Sequence, residues 1–357
     1  MSNSNIAIII LNWNGWQDTC ECLTSLMHST YQRFQCVVVD NGSTDDSLGK
    51  IKSWASGELE TDFGPFAHQS QQYSLTYAEL TESDIRNRDK FDSSYSDKKL
   101  LLVKNGENLG FARGTNVGLQ YTIKAGFEFS LLLNNDTTVD SECLANLVDN
   151  LKQHPERSAI SPIIFYYDQP DTIWYFGGEL TFTGRRKFFN VNETVDHIKN
   201  ITERPISFIS GCALFTKTEI YKKYGVLTEQ FFFGQEDYDF SLRMKKNMVP
   251  LHAISNAKVY HKVSISNKKV FSENRLPYKF IGYLNRFIHK KIRMPNQMIL
   301  WKLWRFTNLC YIFPKLILIE KYPAKKVAKF SRLLVEYSSN YNSVTRDTFF
   351  KAKELFN

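Results

Sequence analysis

The feature that most constrains the fold of this chain is an alternation of short apolar runs with helix-like segments over its first 150 residues. The apolar runs have the length of buried strands, and the segments between them repeat apolar residues every three or four positions. Strand–helix units of this kind predict an α/β fold with a parallel sheet. The predicted strands are 6–12, 35–40, 100–104 and 127–134, and the predicted helices are 16–27, 44–52, 114–125 and 140–151.

Polar side chains follow three of the predicted strands, at the point where each strand ends. The first strand ends at Asn12, with Asn14 just beyond it, the second at Asp40, and the fourth at the run Asn134-Asn135-Asp136. Ligands of such sheets bind outside the carboxyl ends of the strands. We therefore expect the binding site at this edge.

Two of these strand ends carry carboxylates whose chemistry suits a nucleotide. Asp40 could accept hydrogen bonds from a nucleobase N–H or a ribose hydroxyl, or it could cap the Asn41-Gly42 turn. The oxygen-rich run that ends in Asp136 suits a hard divalent cation that bridges two phosphates. A simple polar turn is the alternative for that run.

A glycine-rich segment, 105–118, lies between the third and fourth strands. Its glycines are spaced by four residues and do not form the dinucleotide fingerprint GxGxxG. Glycines at helical spacing allow a helix to pack closely on a sheet, whereas Asn108 and Gly110 before the helix could bring backbone close to a ligand.

Two further motifs lie downstream. Glu236, Asp237 and Asp239 stand where an aromatic run meets a predicted helix start. Acidic residues are favourable in a first helical turn, but three exceed what capping needs, and a partly desolvated carboxylate can serve as a general base. His261 ends a predicted strand and could be structural, or could join Asp136 at a cation.

The remaining segments set the predicted domain boundaries. The polar stretch 53–99 lacks periodicity and predicts an insertion within a domain spanning 1–270. The extension 271–357 predicts amphipathic helices rich in aromatic residues, and residues 281–357 hold 15 Lys and Arg against 4 Asp and Glu. Because the positive charge of the chain is concentrated in this tail, it argues against a nucleic-acid-binding core. It suits peripheral contact with a membrane, with a helical lid or homodimer contact as the alternative.

The sequence also bears on location. Its N-terminal residues lack a basic stretch and a cleavage site, and no run reaches the roughly 18 apolar residues of a membrane span. The six cysteines form no CxxC pair, so we expect buried thiols in place of a disulfide. We expect a cytoplasmic protein, peripheral on the inner face of the cell membrane if the basic tail binds lipid.

Taken together and in this order, from about Ile6 to Ser266, these motifs resemble bacterial members of glycosyltransferase family 2, especially the rhamnosyltransferase-like branch. The resemblance implies a GT-A fold, in which a nucleotide-binding α/β sheet is fused to an acceptor-binding half. It also implies an inverting hexosyltransferase that depends on Mn²⁺ or Mg²⁺. The donor would be dTDP-rhamnose or a UDP-sugar, and the acceptor a polysaccharide or lipid-linked glycan of the cell envelope.

By position, the resemblance assigns roles to individual residues. Asp237 would be the catalytic base, and Asp136 would bind the metal together with His261. Residues that would border the nucleotide or its phosphates are Asn12, Asn14, Asp40, Asn108, Gly110, Asn134 and Asn135. The sequence departs from the family pattern in two places: Asn134 replaces the first acid of the metal motif, and Gly234-Gln235 stands where a Tyr is common.

Three other functions fit the sequence less well. A nucleotidyltransferase that makes nucleotide sugars would carry a Gly-rich, basic loop after the first strand, where this chain reads Asn-Trp-Asn-Gly-Trp. A dehydrogenase would need GxGxxG. A non-catalytic glycan-binding protein has no use for Asp237 in addition to Asp136.

Overall fold

The computed structural model describes residues 5–59, 73–181, 185–263 and 275–356. The chain forms two compact units. The first comprises Met1–Thr228 and Glu236–Val263, and the second comprises Glu229–Gln235 and Ser264–Asn357.

The first unit is built on a large mixed β-sheet and a separate two-stranded hairpin. Its strands, in chain order, are β1 Ile6–Asn12, β2 Phe34–Asp40, β3 Tyr77–Thr81, β4 Leu100–Lys104, β5 Phe129–Asn134, β6 Thr137–Val139, β7 Ala159–Tyr166, β8 Gln169–Tyr175, β9 Gly178–Leu180, β10 Arg186–Phe188, β11 Glu203–Ile206, β12 Ala213–Lys217 and β13 Leu251–His261. Its α-helices are α1 Trp16–Met27, α2 Ser47–Ala55, α3 Glu82–Asn87, α4 Ser93–Ser96, α5 Phe111–Ala125, α6 Cys143–Gln153, α7 Glu219–Tyr224 and α8 Glu236–Lys246. A short 3₁₀ helix spans Val195–Ile198.

The order along the sheet is β11-β13-β7-β12-β5-β1-β2-β4-β3, while β6 pairs with β13, β8 pairs with β7, and β9 and β10 form a separate hairpin. The stretch from β5 to β3 is parallel throughout, as the sequence predicts. Strand β12 then runs antiparallel between β5 and β7. The parallel half therefore brings its strand ends together at one edge, beside β12.

Alternate residues of each central strand bury against opposite layers. Ile6, Ile8 and Ile10 belong to one apolar cluster and Ala7 and Ile9 to the other. A strand covered on both faces reads as a continuous apolar run, and for this reason the sequence locates β1 and β4 to the residue. Five of the six cysteines are buried thiols, as expected, and Cys310 is exposed.

The stretch 53–99 differs from its prediction. The interpretation as an insertion without periodic structure is wrong for part of it, because Tyr77–Thr81 forms strand β3 and helices α3 and α4 follow. Strand β3 lies at the end of the sheet and pairs only with β4, so most of its residues are partly or fully exposed. Residues 60–72 lie outside the described ranges.

The second unit is helical where it is described. It contains α9 Arg275–Ile292, α10 Met298–Pro314, α11 Ala324–Asn340 and α12 Arg346–Leu355, and a π-helical turn, Lys315–Ile319, follows α10. These helices share a core that includes Phe280, Phe287, Ile312 and Phe330. Among the described residues, none of the helices combines the length and apolar character that a bilayer crossing requires.

Candidate active site

The ends of β1 and β2 hold Asn12 and Asp40 side by side. These residues are partners in the parallel register, and Asn12 Nδ2 donates to Asp40 Oδ1 at 2.8 Å. Asp40 also accepts hydrogen bonds from the amide and hydroxyl of Ser43, and Thr19 donates to Asn12 Oδ1. Both side chains are almost fully buried. Three donors thus fix the orientation of the Asp40 carboxylate at the end of β2.

Asn14 fastens the loop after β1 to the loop after β2. Its backbone amide donates to the hydroxyl of Ser43 at 2.9 Å, and its side-chain oxygen accepts from the amide of Thr44 at 2.8 Å. Its φ of +50° places it in the left-handed region, which Asn tolerates better than most residues. The structure gives this predicted nucleotide neighbour a role in shaping the loops.

Asn41 organises the loop that contains Asn108 and Gly110. Its amide nitrogen donates to Asn108 Oδ1 at 3.0 Å and to the Gly110 carbonyl at 3.2 Å. Its oxygen accepts from Asn105 and from the amide of Leu109. The sequence pattern indicates only a turn at Asn41; the signal for this second role is a polar side chain at a buried strand end.

The end of β5 brings Asp136 into contact with His261. Oδ1 of Asp136 lies 3.2 Å from Nε2 of His261, and each residue is 6% exposed. Burial by itself favours the neutral carboxyl, but the His261 imidazole lowers the pKa of Asp136. Burial also disfavours the imidazolium, but the sulfur of Cys212 and the Asp136 carboxylate together raise the pKa of His261 to about 10.

This pair has the chemistry and spacing of two ligands of a divalent cation. An octahedral ion with neighbouring ligands at about 2.1 Å places their atoms about 3 Å apart, close to the separation seen between Asp136 and His261. Among the described residues, no group of three or more His, Cys, Asp and Glu side chains converges as a metal site. The two residues thus fit an ion whose other ligands come from substrate and water.

Asn134 and Asn135 lie beside the pair in different ways. The Asn134 amide donates to the carbonyl of Cys212 at 2.9 Å, which joins β5 to the segment before β12. Asn135 donates its side-chain N–H to Thr19 at 3.1 Å. That hydroxyl in turn donates to Asn12, so a continuous polar chain runs along the edge of the sheet.

Lys262, which follows His261, ties β13 to helix α1. Its ammonium lies 2.7 Å from Asp18 and 2.5 Å from Glu21, and its backbone amide donates to the Asp136 carbonyl at 3.0 Å. The side chain is 20% exposed, so this network is largely shielded from water. This network therefore holds His261 in position opposite Asp136.

Asp237 lies in the first turn of α8 and is paired with Arg186. Arg186 Nη1 lies 3.0 and 3.2 Å from the two carboxylate oxygens, and the amide of Tyr238 donates to Oδ1 at 2.7 Å. The Asp237 side chain is 13% exposed and that of Arg186 is 45% exposed. Arg186 is not among the residues predicted from the sequence, because it lies in the β9–β10 hairpin and belongs to no local motif.

The neighbouring acid Asp239 has a structural partner. It lies 2.8 Å from Nε of Arg243, one turn along the same helix. Arg243 also donates to the carbonyls of Tyr224, Gly225 and Val226, so it holds the loop after α7 against α8. One of the three acids at this helix start is therefore explained by folding.

The segment 210–212 is where these parts meet. A Cβ added at Gly211 would lie 3.7 Å from Cβ of Asp237 and 3.8 Å from the ring of Phe111, the first residue of α5. Cys212, next in the chain, accepts from the amide of Asn134, and its thiol interacts with His261. Asp237 is thus placed beside the strand ends that carry the Asp136–His261 pair. No motif in the sequence marks this segment as part of the site.

Comparisons with known proteins identify the family and the fold. The sequence model described as glycosyl transferase family 2 matches residues 7–68 and 85–225. A dTDP-rhamnosyl transferase of Shigella flexneri is 24% identical over 196 residues, which cover 53% of this chain. The match spans 62% of that relative's own length.

The solved structures similar to this chain include two glycosyltransferases. GalNAc-T7 with UDP, GalNAc and Mn²⁺ is 14% identical with a TM-score of 0.51, over 78% of this chain and 51% of that one. A mannosyltransferase from Pyrobaculum calidifontis with GDP-Man and Mn²⁺ is 15% identical with a TM-score of 0.51, over 98% of this chain and 86% of that one. At these identities the likeness concerns the fold, and it confirms the predicted GT-A architecture.

Proposed function

Since this chain belongs to glycosyl transferase family 2, a family of inverting glycosyltransferases, we propose that it transfers a sugar from a nucleotide-sugar donor to a glycan acceptor. The observation that carries the proposal is the convergence of two groups on the segment 210–212. One is the Asp136–His261 pair, and the other is the paired carboxylate of Asp237. A transfer reaction needs both groups, one for the leaving diphosphate and one for the acceptor hydroxyl.

The strand edge would hold the donor. Asp40, oriented by Asn12, accepts hydrogen bonds from the nucleoside, and the loop from Asn108 to Gly110, braced by Asn41, lines the same mouth. Asp136 and His261 would bind Mn²⁺ or Mg²⁺. The ion, when bound, neutralises charge that develops on the diphosphate as it leaves.

Asp237 acts as the general base. Its carboxylate accepts the proton of the acceptor hydroxyl as the oxygen bonds to the anomeric carbon, and the bond from that carbon to the diphosphate oxygen breaks. A single displacement of this kind inverts the configuration at the anomeric carbon. Arg186 acts as a positioning residue, because its guanidinium contacts both oxygens of the base.

The donor we propose is dTDP-L-rhamnose, with a UDP-hexose as the alternative. The support is the resemblance to the dTDP-rhamnosyl transferase at 24% identity. The acceptor we propose is a polysaccharide or lipid-linked glycan at the inner face of the cell membrane. The support for this acceptor is the basic, aromatic extension alone; no contact in the first unit bears on it.

One screen tests the proposal. Purified protein is incubated with a panel of nucleotide sugars, with Mn²⁺, with Mg²⁺ or with EDTA, and release of nucleoside diphosphate is measured with the Asp237→Asn variant in parallel. We expect metal-dependent turnover of a dTDP- or UDP-sugar that the variant lacks. Glycan binding without turnover of any donor would instead indicate a non-catalytic protein.

A further inference from the structure

Helix α10 exposes an apolar stripe. Ile299, Leu303, Phe306, Cys310 and Phe313 recur at alternating steps of four and three residues, so they share one face of the helix. All five are exposed, Ile299 to 76% and Phe306 to 64%. The π-helical turn that follows adds Leu318 and Ile319, at 75% and 72%.

This concentration is unusual within the chain. Thirteen large apolar side chains are exposed among the described residues, and nine of them lie between Met298 and Ile319. Scattered exposed apolar residues need no explanation, but a contiguous group marks an interaction surface. The opposite side of α10 is already occupied, because Trp301 and Ile312 are buried and Trp301 donates to the Phe287 carbonyl at 3.0 Å.

The charges around the stripe select its partner. From Arg275 to Ile319 the sequence contains nine Lys and Arg and no Asp or Glu. Lys302 is exposed beside the stripe, and Lys321, Lys325 and Lys326 are exposed after the π-helical turn. Two copies of this chain joined through α10 would bring these like charges together, which is unfavourable. An anionic surface would be attracted.

We propose that residues 298–319 form a docking surface that lies in the headgroup region of an anionic lipid bilayer. Apolar residues on one face of a helix with basic residues at its flanks suit this position. Neither α10 nor any other described helix is suited to cross the bilayer, so the contact is peripheral. The proposal does not depend on sugar transfer, since lipid binding is measured without a donor.

The test uses the full-length chain and vesicle flotation without nucleotide. We expect flotation with phosphatidylglycerol vesicles at low salt, weaker flotation at high salt, and none with phosphatidylcholine vesicles. The double variant Leu303→Gln/Phe306→Gln should lower the partition coefficient at least tenfold. Met248→Gln, which changes a residue that is 89% exposed in the first unit, serves as the matched control and should float as the wild type does.

Three flotation results would overturn the proposal. They are no flotation with anionic vesicles, equal flotation of the double variant, and equal flotation with neutral vesicles. Analytical sedimentation without lipid tests whether a second copy of this chain covers the stripe instead. A dimer that the double variant loses would assign the stripe to self-association. Thermal unfolding of each variant shows that it is folded, since the substituted side chains are exposed.

Discussion

At the residue scale, the site rests on pairs of side chains whose partners lie far apart in sequence. Asn12 meets Asp40, Asp136 meets His261, and Asp237 meets Arg186. Each pair constrains one group that the proposed reaction needs. Three predictions concern these residues.

The first is that Asp237→Asn lowers kcat by roughly 10²–10⁴ while donor affinity stays within a few fold, because the amide cannot accept a proton. Asp239→Asn is the matched control in the same helix. That change should lower stability by weakening the Arg243 clamp while kcat changes little. Steady-state kinetics and thermal unfolding separate the two effects. Near-normal turnover of Asp237→Asn would point to Glu236 as the base.

The second is that Arg186→Ala lowers kcat about tenfold or more, because the base loses its orientation, and that Arg186→Lys restores part of the rate. The pair is partly exposed, so its contribution to the free energy of unfolding should be below about 1 kcal/mol. Lys187→Ala, which removes a neighbouring and more exposed cation, is the control. If Arg186→Ala has normal kcat, Arg186 does not position the base.

The third concerns pH. The pKa of His261 is about 10 without metal, so at neutral pH Nε2 must lose a proton before it binds a cation. Affinity for Mn²⁺ should rise about tenfold per pH unit between pH 6.5 and 8, with about one proton released. Calorimetry in buffers of different ionisation enthalpy measures that proton. His261→Gln should abolish the slope; a pH-independent wild-type affinity would contradict the assignment.

The same shift has a consequence for stability. Because the folded pKa lies above the unfolded value of about 6.5, the Asp136–His261 pair stabilises the metal-free protein fully below pH 6.5, as long as Asp136 remains ionised. The contribution is lost as pH rises through about 10.

At the element scale, α5 is held close to the sheet by glycine. A Cβ at Gly118 would lie 2.6 Å from Cγ2 of Ile9, and one at Gly114 would lie 2.7 Å from Cδ1 of Leu11. The structure thus confirms the packing explanation of the glycine spacing at these two positions. For Gly106 no neighbour lies within 4 Å, so packing does not explain that glycine.

Gly118→Ala should therefore destabilise the protein by about 1–3 kcal/mol, because the methyl group has no space. Gly282→Ala is its control: it lies inside α9, and an added Cβ meets nothing within 4 Å. That change should stabilise by about 0.5–1 kcal/mol through helix propensity. Denaturant unfolding measures both, and effects of the same sign would refute the packing argument.

At the scale of the whole molecule, the proposed donor and metal should stabilise the fold together. A ligand at a hundred times its Kd adds about 2.7 kcal/mol to the free energy of unfolding, enough to raise Tm by a few degrees. dTDP or UDP with Mn²⁺ should raise Tm more than either alone, and Asp136→Ala should lose the metal-dependent part. Nucleotide shifts that EDTA leaves unchanged, or full activity in EDTA, would refute the metal site.

The sequence by itself determined the parallel half of the sheet and the polar residues at its strand ends. Burial on both faces produces a continuous apolar run, which a local pattern can reveal. Asn12 and Asp40 directly follow such a run, and Asp136 follows one after Asn134 and Asn135. Because such patterns report only on local burial, two predictions from the sequence are wrong. Strand β3 is partly exposed and so lacks the pattern, and α2 begins at Ser47, three residues beyond the predicted helix start at residue 44.

Only the tertiary structure decided which of these residues meet. The antiparallel insertion of β12 between β5 and β7 brings residues 210–212 to the edge of the sheet, and β13 carries His261 to Asp136. Arg186 reaches Asp237 from a hairpin that has no motif of its own. The exposed face of α10 likewise depends on which side of that helix the neighbouring helices cover. Periodicity records that a residue is buried, whereas strand order and packing decide what it is buried against.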